Sequence, residues 1–211
     1  MFGTGTDYYD PFKNKFLLLR ADPGNPSGLS SNSIWGILED DQGTLWIGSN
    51  EGGLNRFDYE SGMWKHYLND PKDPTSLSNN AVYVVYQDRQ GTLWLGTPTG
   101  LSRFDRQTET FQSFPSPMLN AIYEDSQGNF WLGSAQGLIQ FDRATSTQQP
   151  PLQNDPQDPT SLSGNFVSRI LEDTQGNLWI GTLNGGLNLM DRESRRFRRF
   201  VKDPSDPTTL S

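Results

Sequence analysis

Apolar residues in this chain come in short runs, each closed by a polar turn rich in Gly, Asp, Asn or Ser. From Ser30 onward, Ile34-Trp35-Gly36-Ile37-Leu38 is too short for a helix and suits a buried strand ending at Glu39-Asp40. Asp40-Asp41-Gln42-Gly43 is a tight turn, because Gly43 can take positive φ. Thr44-Leu45-Trp46-Ile47-Gly48 is a second strand, and Glu51-Gly52-Gly53 turns again. Leu54-Asn55-Arg56-Phe57-Asp58 alternates apolar and polar, predicting a third strand. After Glu60-Ser61-Gly62, the stretch Met63-Trp64-Lys65-His66-Tyr67 predicts a fourth and more polar strand. The following Asn69 to Ser78 segment holds Pro71 and Pro74, which lack the donor a ladder needs.

The pattern recurs. Asp-x-x-Gly-x-(Leu/Phe)-Trp-(Ile/Leu)-Gly-(Ser/Thr) is found at Asp40–Ser49, Asp88–Thr97, Asp125–Ser134 and Asp173–Thr182. Trp46, Trp94, Trp131 and Trp179 stand 48, 37 and 48 residues apart. Val82–Tyr86, Leu119–Tyr123 and Phe166–Leu171 read as further innermost strands, and Leu101–Asp105, Leu138–Asp142 and Leu187–Asp191 as further third strands. The linker Asp-Pro-x-Asp-Pro-Thr-(Ser/Thr)-Leu-Ser begins at Asp70, Asp155 and Asp203, with a degenerate form at Asp22. Between the second and third copies only Pro115-Ser116-Pro117 is present, which accounts for the short spacing. Four antiparallel strands in about 45 residues is the unit of a β-propeller blade. The fold expected is all-β: a propeller of four complete blades at 30–78, 79–117, 118–163 and 164–211, preceded by a half blade at 1–29. Phe2-Gly3-Thr4 aligns with Ile47-Gly48-Ser49, and Asp7–Phe12 and Lys15–Leu19 supply the half blade's outer strands. A half blade leaves edges and apolar faces that associate, so self-association or continuation in a longer chain is expected.

Composition narrows the function classes. The 211 residues carry a formal net charge of −8, which disfavours binding nucleic acid through its phosphates. There is no cysteine, so no disulfide or thiol nucleophile can form. No apolar run reaches the length of a membrane span, and Met1–Thr6 does not read as a signal peptide. A single histidine, His66, beside Lys65 and Tyr67 on an outer strand, is expected to be exposed, and one histidine builds neither a Ser/His/Asp triad nor a histidine-rich metal site. No cofactor, metal or catalytic residue is expected.

The run from Glu39-Asp40 through Gly43, Leu45-Trp46-Ile47-Gly48, Gly52-Gly53-Leu54 and Phe57-Asp58 resembles the two-component regulator propeller repeat. The resemblance extends over nearly all of the chain. It implies the sensor region of a hybrid two-component histidine kinase or related bacterial regulator, placed in the periplasm or outside the cell, with no kinase in this sequence. Such sensor regions carry more repeats than the four read here.

Repeated residues build scaffold, so a ligand site is sought where the copies differ. In a propeller the linkers into the innermost strands and the loops between second and third strands share one face. That face collects Asn32, Asn80 and Asn165 from the linkers, and Glu51, Thr99, Gln136 and Asn184 from the loops. Trp35, Tyr83, Asn120 and Ser168 take one matching place in the innermost strands and are expected to line the channel. Together they suggest a polar pocket for a small molecule or carbohydrate, although Asn also suits turn geometry alone. Trp35 and Trp64 break the repeat and are interface or ligand candidates. The recurring tryptophans read as core, and Asp40, Asp88, Asp125 and Asp173 as turn caps. Glu39, Gln87, Glu124 and Glu172 repeat beside those turns, which argues for structure over acid–base work. Arg195-Arg196-Phe197-Arg198-Arg199-Phe200 reads as a charge-protected edge strand. The leading expectation is a non-enzymatic sensing or protein-interaction propeller. The alternatives are a carbohydrate lyase or hydrolase using channel carboxylates, and an assembly scaffold completed by another chain.

Overall fold

A computed structural model describes residues 6–10, 15–22, 24, 25, 27–206 and 209. No described residue is helical. The chain divides into two compact units, Met1–Pro115 and Ser116–Ser211. The division falls on the one connection that lacks the proline-rich linker.

The first unit begins with an antiparallel pair, β1 (Thr6–Asp10) and β2 (Lys15–Leu19). Two four-stranded antiparallel sheets follow. The first is β3 (Ile34–Glu39), β4 (Leu45–Ser49), β5 (Leu54–Asp58) and β6 (Met63–Tyr67), in that spatial order. The second is β7 (Val84–Gln87), β8 (Leu93–Thr97), β9 (Gly100–Asp105) and β10 (Thr110–Pro115). In the second unit, one sheet holds β11 (Leu119–Glu124), β12 (Phe130–Ser134), β13 (Gly137–Asp142) and β14 (Thr147–Gln148). The last holds β15 (Val167–Glu172), β16 (Leu178–Thr182), β17 (Gly186–Asp191) and β18 (Arg196–Phe200). Each sheet is an up-and-down meander whose tryptophan strand lies second, as the spacing predicts for propeller blades.

Within each unit, consecutive sheets pack face to face on apolar side chains. Trp46, Leu54 and Tyr67 of the first sheet meet Val85, Leu93, Leu95, Phe104 and Phe111 of the second, with Leu77 and Val82 of the linker region in the same cluster. The second unit repeats this with Trp131 and Leu138 against Leu162, Val167, Leu178, Ile180, Met190 and Phe197. The approach is close enough to demand glycine. A Cβ on Gly48 would lie 2.7 Å from Val82 Cγ1, and one on Gly133 would lie 2.7 Å from Val167 Cγ1.

The linkers are part of the sheets they precede. The amides of Phe111 and Phe197, on outer strands, donate to the carbonyls of Thr75 and Thr160, both at 2.7 Å. The third sheet has no such linker, and its outer strand β14 is only two residues long.

Some boundaries differ from those expected. The second innermost strand starts at Val84, not Val82, because the Val82 amide donates to Ser49 O of the neighbouring sheet. The fourth innermost strand starts at Val167, not Phe166, and three third strands start one residue early, at Gly100, Gly137 and Gly186. The readings of Phe2-Gly3-Thr4, Phe12, Leu210 and Ser211 lie outside the described residues.

Candidate functional site

The two ends of each sheet differ in chemistry. At one end lies the Asp-x-x-Gly turn. Asp40 Oδ1 accepts the amides of Gln42 and Thr44 at 3.0 and 2.8 Å, and Oδ2 accepts Trp46 Nε1 at 2.7 Å. Asp125 holds Gln127, Asn129 and Trp131 in the same way, and Asp173 holds Gln175, Asn177 and Trp179. Asp88 accepts Gln90, Thr92 and Trp94. These bonds seat each tryptophan and leave its ring free to pack.

A second partner comes from the next sheet. Arg106 Nη1 reaches Asp40 Oδ2 at 2.8 Å, and Arg192 Nε reaches Asp125 Oδ2 at 3.1 Å. Arg192 also pairs with Glu172, which accepts the Ser126 amide and hydroxyl across the same junction. Gln87 does the corresponding work on Asp41, accepting its amide at 3.0 Å and donating to its carboxylate at 2.7 Å. Sequence reasoning found the aspartates and missed the arginines. Their signal was an arginine directly after the third-strand aspartate: Asp105-Arg106, Asp142-Arg143 and Asp191-Arg192.

Burial alone would raise the Asp40 carboxyl, but the donors Trp46, Thr44, Arg106 and Gln42 outweigh it and bring it below its ordinary range. Asp125 is lowered on the same balance by Trp131, Asn129 and Arg192. Asp173 is pulled down to about 2, chiefly by the Trp179 and Asn177 bonds. Groups held ionised in this way act as fixed acceptors.

At the other end, Trp35, Asn120 and Ser168 each sit at a β-bulge. The register slips between Ile34 and Gly36, between Leu119 and Ala121, and between Val167 and Arg169. Tyr83 takes the matching place just before β7, its amide donating to Gly96 O at 2.9 Å. A bulge re-aims the extra residue's side chain. Three of the four candidates therefore share a backbone cause that the sequence pattern did not reveal.

In the first unit two of them meet. The Trp35 and Tyr83 rings lie 5.2 Å apart at 45°. Gly36 permits this, since a Cβ there would lie 3.1 Å from the Val85 amide nitrogen of the adjoining strand. Trp35 Nε1 donates to Ser33 Oγ at 3.3 Å, and Trp35 remains 60% exposed. In the second unit, Ser168 Oγ donates to Gly181 O at 3.2 Å, and Asn120 Nδ2 is buried with no partner among the described residues.

The linker asparagines have structural work. Asn32, Asn80 and Asn165 each accept, on the side-chain oxygen, the amide of the residue eleven positions earlier: Ala21 at 2.8 Å, Asn69 at 2.7 Å and Asn154 at 2.6 Å. Glu51 and Asn184 are exposed turn residues with φ of 69° and 62°. Thr99 is exposed and bonded to Thr97 Oγ1 at 3.1 Å, and exposed Gln136 accepts Gln153 Nε2 on its carbonyl at 2.8 Å.

Three expectations are corrected. Trp64 is not a surface candidate: it packs on Phe57 at 4.7 Å against the Leu29, Leu45 and Ile47 cluster. His66 is half-buried, with Nε2 2.7 Å from Gly28 O. In the basic cluster, Arg199 turns inward to bond Ser161 O, Asp158 O and Leu162 O, pinning the linker. No group of three or more metal-ligating side chains occurs among the described residues.

The family model described as "Two component regulator propeller" matches residues 28–51, 76–99, 113–136 and 161–184. No curated protein matches the chain. Among solved structures, the extracellular domain of a protein described as a hybrid two component system, from B. thetaiotaomicron, is similar. It has TM-score 0.81 and 22% identity, covering 99% of this chain and 27% of that one. The extracellular domain of a one component system from the same organism is similar at TM-score 0.74 and 22% identity, covering 88% of this chain and 24% of that one. PorZ, a surface component of the type-IX secretion system of Porphyromonas gingivalis, is similar at TM-score 0.69 and 16% identity, over 95% and 31%. This chain spans about a quarter to a third of the length of these structures. No helix of the described residues is long and apolar enough to cross a membrane.

Proposed function

The four repeats of this chain belong to the two component regulator propeller family, and on that premise we propose that it is a non-enzymatic, extracytoplasmic sensing module. Its ligand contacts are placed at the bulge end of the sheets. The observation that carries this reading is the Trp35–Tyr83 pair. Two large aromatics that the other repeats lack are set side by side at adjoining innermost strands, and one is left mostly exposed. An exposed ring pair suits a small ligand with a flat apolar face and a polar rim, as a sugar ring has. Glu51 and Thr99, in the same unit, are the polar groups proposed to add to it. Binding would act by favouring one of two states of the larger assembly, which needs different affinities for the two.

The carboxylates fit this reading better than an acid–base one. Asp40 and Asp125 spend their oxygens on amides, indoles and guanidiniums, and their lowered pKa values suit acceptors rather than proton donors. The test is calorimetric titration of the chain with a panel of mono- and oligosaccharides. Trp35→Ala and Tyr83→Ala are expected to weaken any binding at least about tenfold while leaving the fold intact. Equal affinity in both variants would place the ligand elsewhere.

A further inference from the structure

The first sheet departs from the other three in two ways at the same end. Its innermost strand carries Trp35, where the others have Tyr83, Asn120 and Ser168. Its loop between second and third strands carries Glu51, where the others have Thr99, Gln136 and Asn184. The largest ring and the only charge at these two stations therefore fall in one repeat.

Hydrogen bonds hold that loop between the two aromatic strands. The Asn50 amide donates to Ser33 O at 2.9 Å, two residues before Trp35, and Ser31 Oγ donates to Asn50 O at 3.1 Å. On the other side, the Gly53 amide donates to Asn80 O at 2.8 Å, and the Val82 amide, just ahead of Tyr83, donates to Ser49 O at 3.0 Å. Glu51 is thus anchored on both flanks while its side chain stays exposed. Its φ of 69° is a left-handed conformation. Asparagine, the residue at the matching place in the fourth sheet, suits that conformation better than glutamate does. Turn geometry therefore does not account for a glutamate here. Segments 30–33, 50–53 and 78–82, which lead into the two strands and bridge them, hold no other charged side chain.

On the reading that Trp35 and Tyr83 form a ring site, we infer that its ligand is a ring bearing a protonated amine, of the amino-sugar class. Glu51 and the exposed indole face of Trp35 hold the amine. A carboxylate attracts an ammonium group and repels the carboxylate of a uronate. The face of an indole also attracts an ammonium group. A neutral sugar has the rings alone to bind.

The Trp35 indole N–H resonance, recognised as the signal absent from Trp35→Ala, reports on the site. The probes are glucosamine, glucose and glucuronate, added at about pH 6, where the amine of glucosamine is protonated. Glucosamine is expected to bind at least about fivefold more tightly than glucose, and glucuronate more weakly than glucose. Glu51→Gln is expected to erase the glucosamine preference and leave glucose binding unchanged. Glu51→Lys is expected to turn the preference toward glucuronate. Equal affinities for the three sugars, or a glucosamine preference that survives Glu51→Gln, overturn the inference and leave the ring site standing. Glucosamine binding that calorimetry finds intact in Trp35→Ala removes the ring site and the inference together, as does a Trp35 resonance that none of the three sugars moves.

Discussion

The turn end and the bulge end of the sheets obey opposite rules. At the turn end, four aspartates hold four tryptophans through the same set of bonds, and arginines from neighbouring sheets complete the arrangement in both units. At the bulge end the backbone repeats while the side chain does not: Trp35, Tyr83, Asn120 and Ser168 share a station and little chemistry. Where a residue is needed to satisfy buried donors its identity is fixed. Where the backbone alone needs a bulge, the side chain is free to serve something else.

The strongest test of this contrast is at the turn end. Asp40→Ala or Asp125→Ala strands an indole, two amides and a guanidinium and is expected to cost about 3 kcal/mol in urea unfolding. A loss near that of a surface substitution would break the comparison. Next in size is the pH response. The Asp40 and Asp125 carboxyls are lowered from 3.8 in the folded state, so their contribution is complete above that value and is lost as pH falls through the folded pKa. Calorimetry should find Tm level above about pH 5 and falling steeply below about pH 4. A smaller effect belongs to the linker clip: Asn80→Ala removes one acceptor from the Asn69 amide and should cost about 1 kcal/mol in the same urea assay. The smallest is at the bulge. Trp35→Ala should change stability by less than about 0.5 kcal/mol, although it removes the largest exposed aromatic of the described residues. If Trp35→Ala were as damaging as Asp40→Ala, the two ends would not differ as argued.

The fold was legible because its signal is repeated and local. Alternating strands, glycine turns and in-register tryptophans need no long-range information, and the sheets follow them to within a residue or two. The candidate site was legible only as a list of positions. The sequence identified Trp35 and Tyr83 as matching residues, but their contact depends on Gly36 letting two strands approach, which no local pattern encodes. The asparagines illustrate the converse. Asn32, Asn80 and Asn165 looked like adaptable polar groups, and their bonds to amides eleven residues back are visible only in three dimensions. Trp64 failed as a surface candidate for a simpler reason: it holds the outer-strand place that Phe111 and Phe197 fill in other sheets, and it packs on Leu29, Leu45 and Ile47.

The asparagine clip carries a consequence for how such a chain can grow or shrink. Its loop spans eleven positions, and the tryptophan spacings of 48 and 37 differ by that same number. Across the short connection Pro117 stands where the clip's asparagine would be, so loop and fastener are missing together. The segment thus behaves as a removable cassette: excising all of it leaves a shorter but sound joint, whereas trimming two or three residues would strand the amide that the asparagine exists to hold. Natural variants of this architecture should therefore change length at this joint in a single step rather than by gradual erosion.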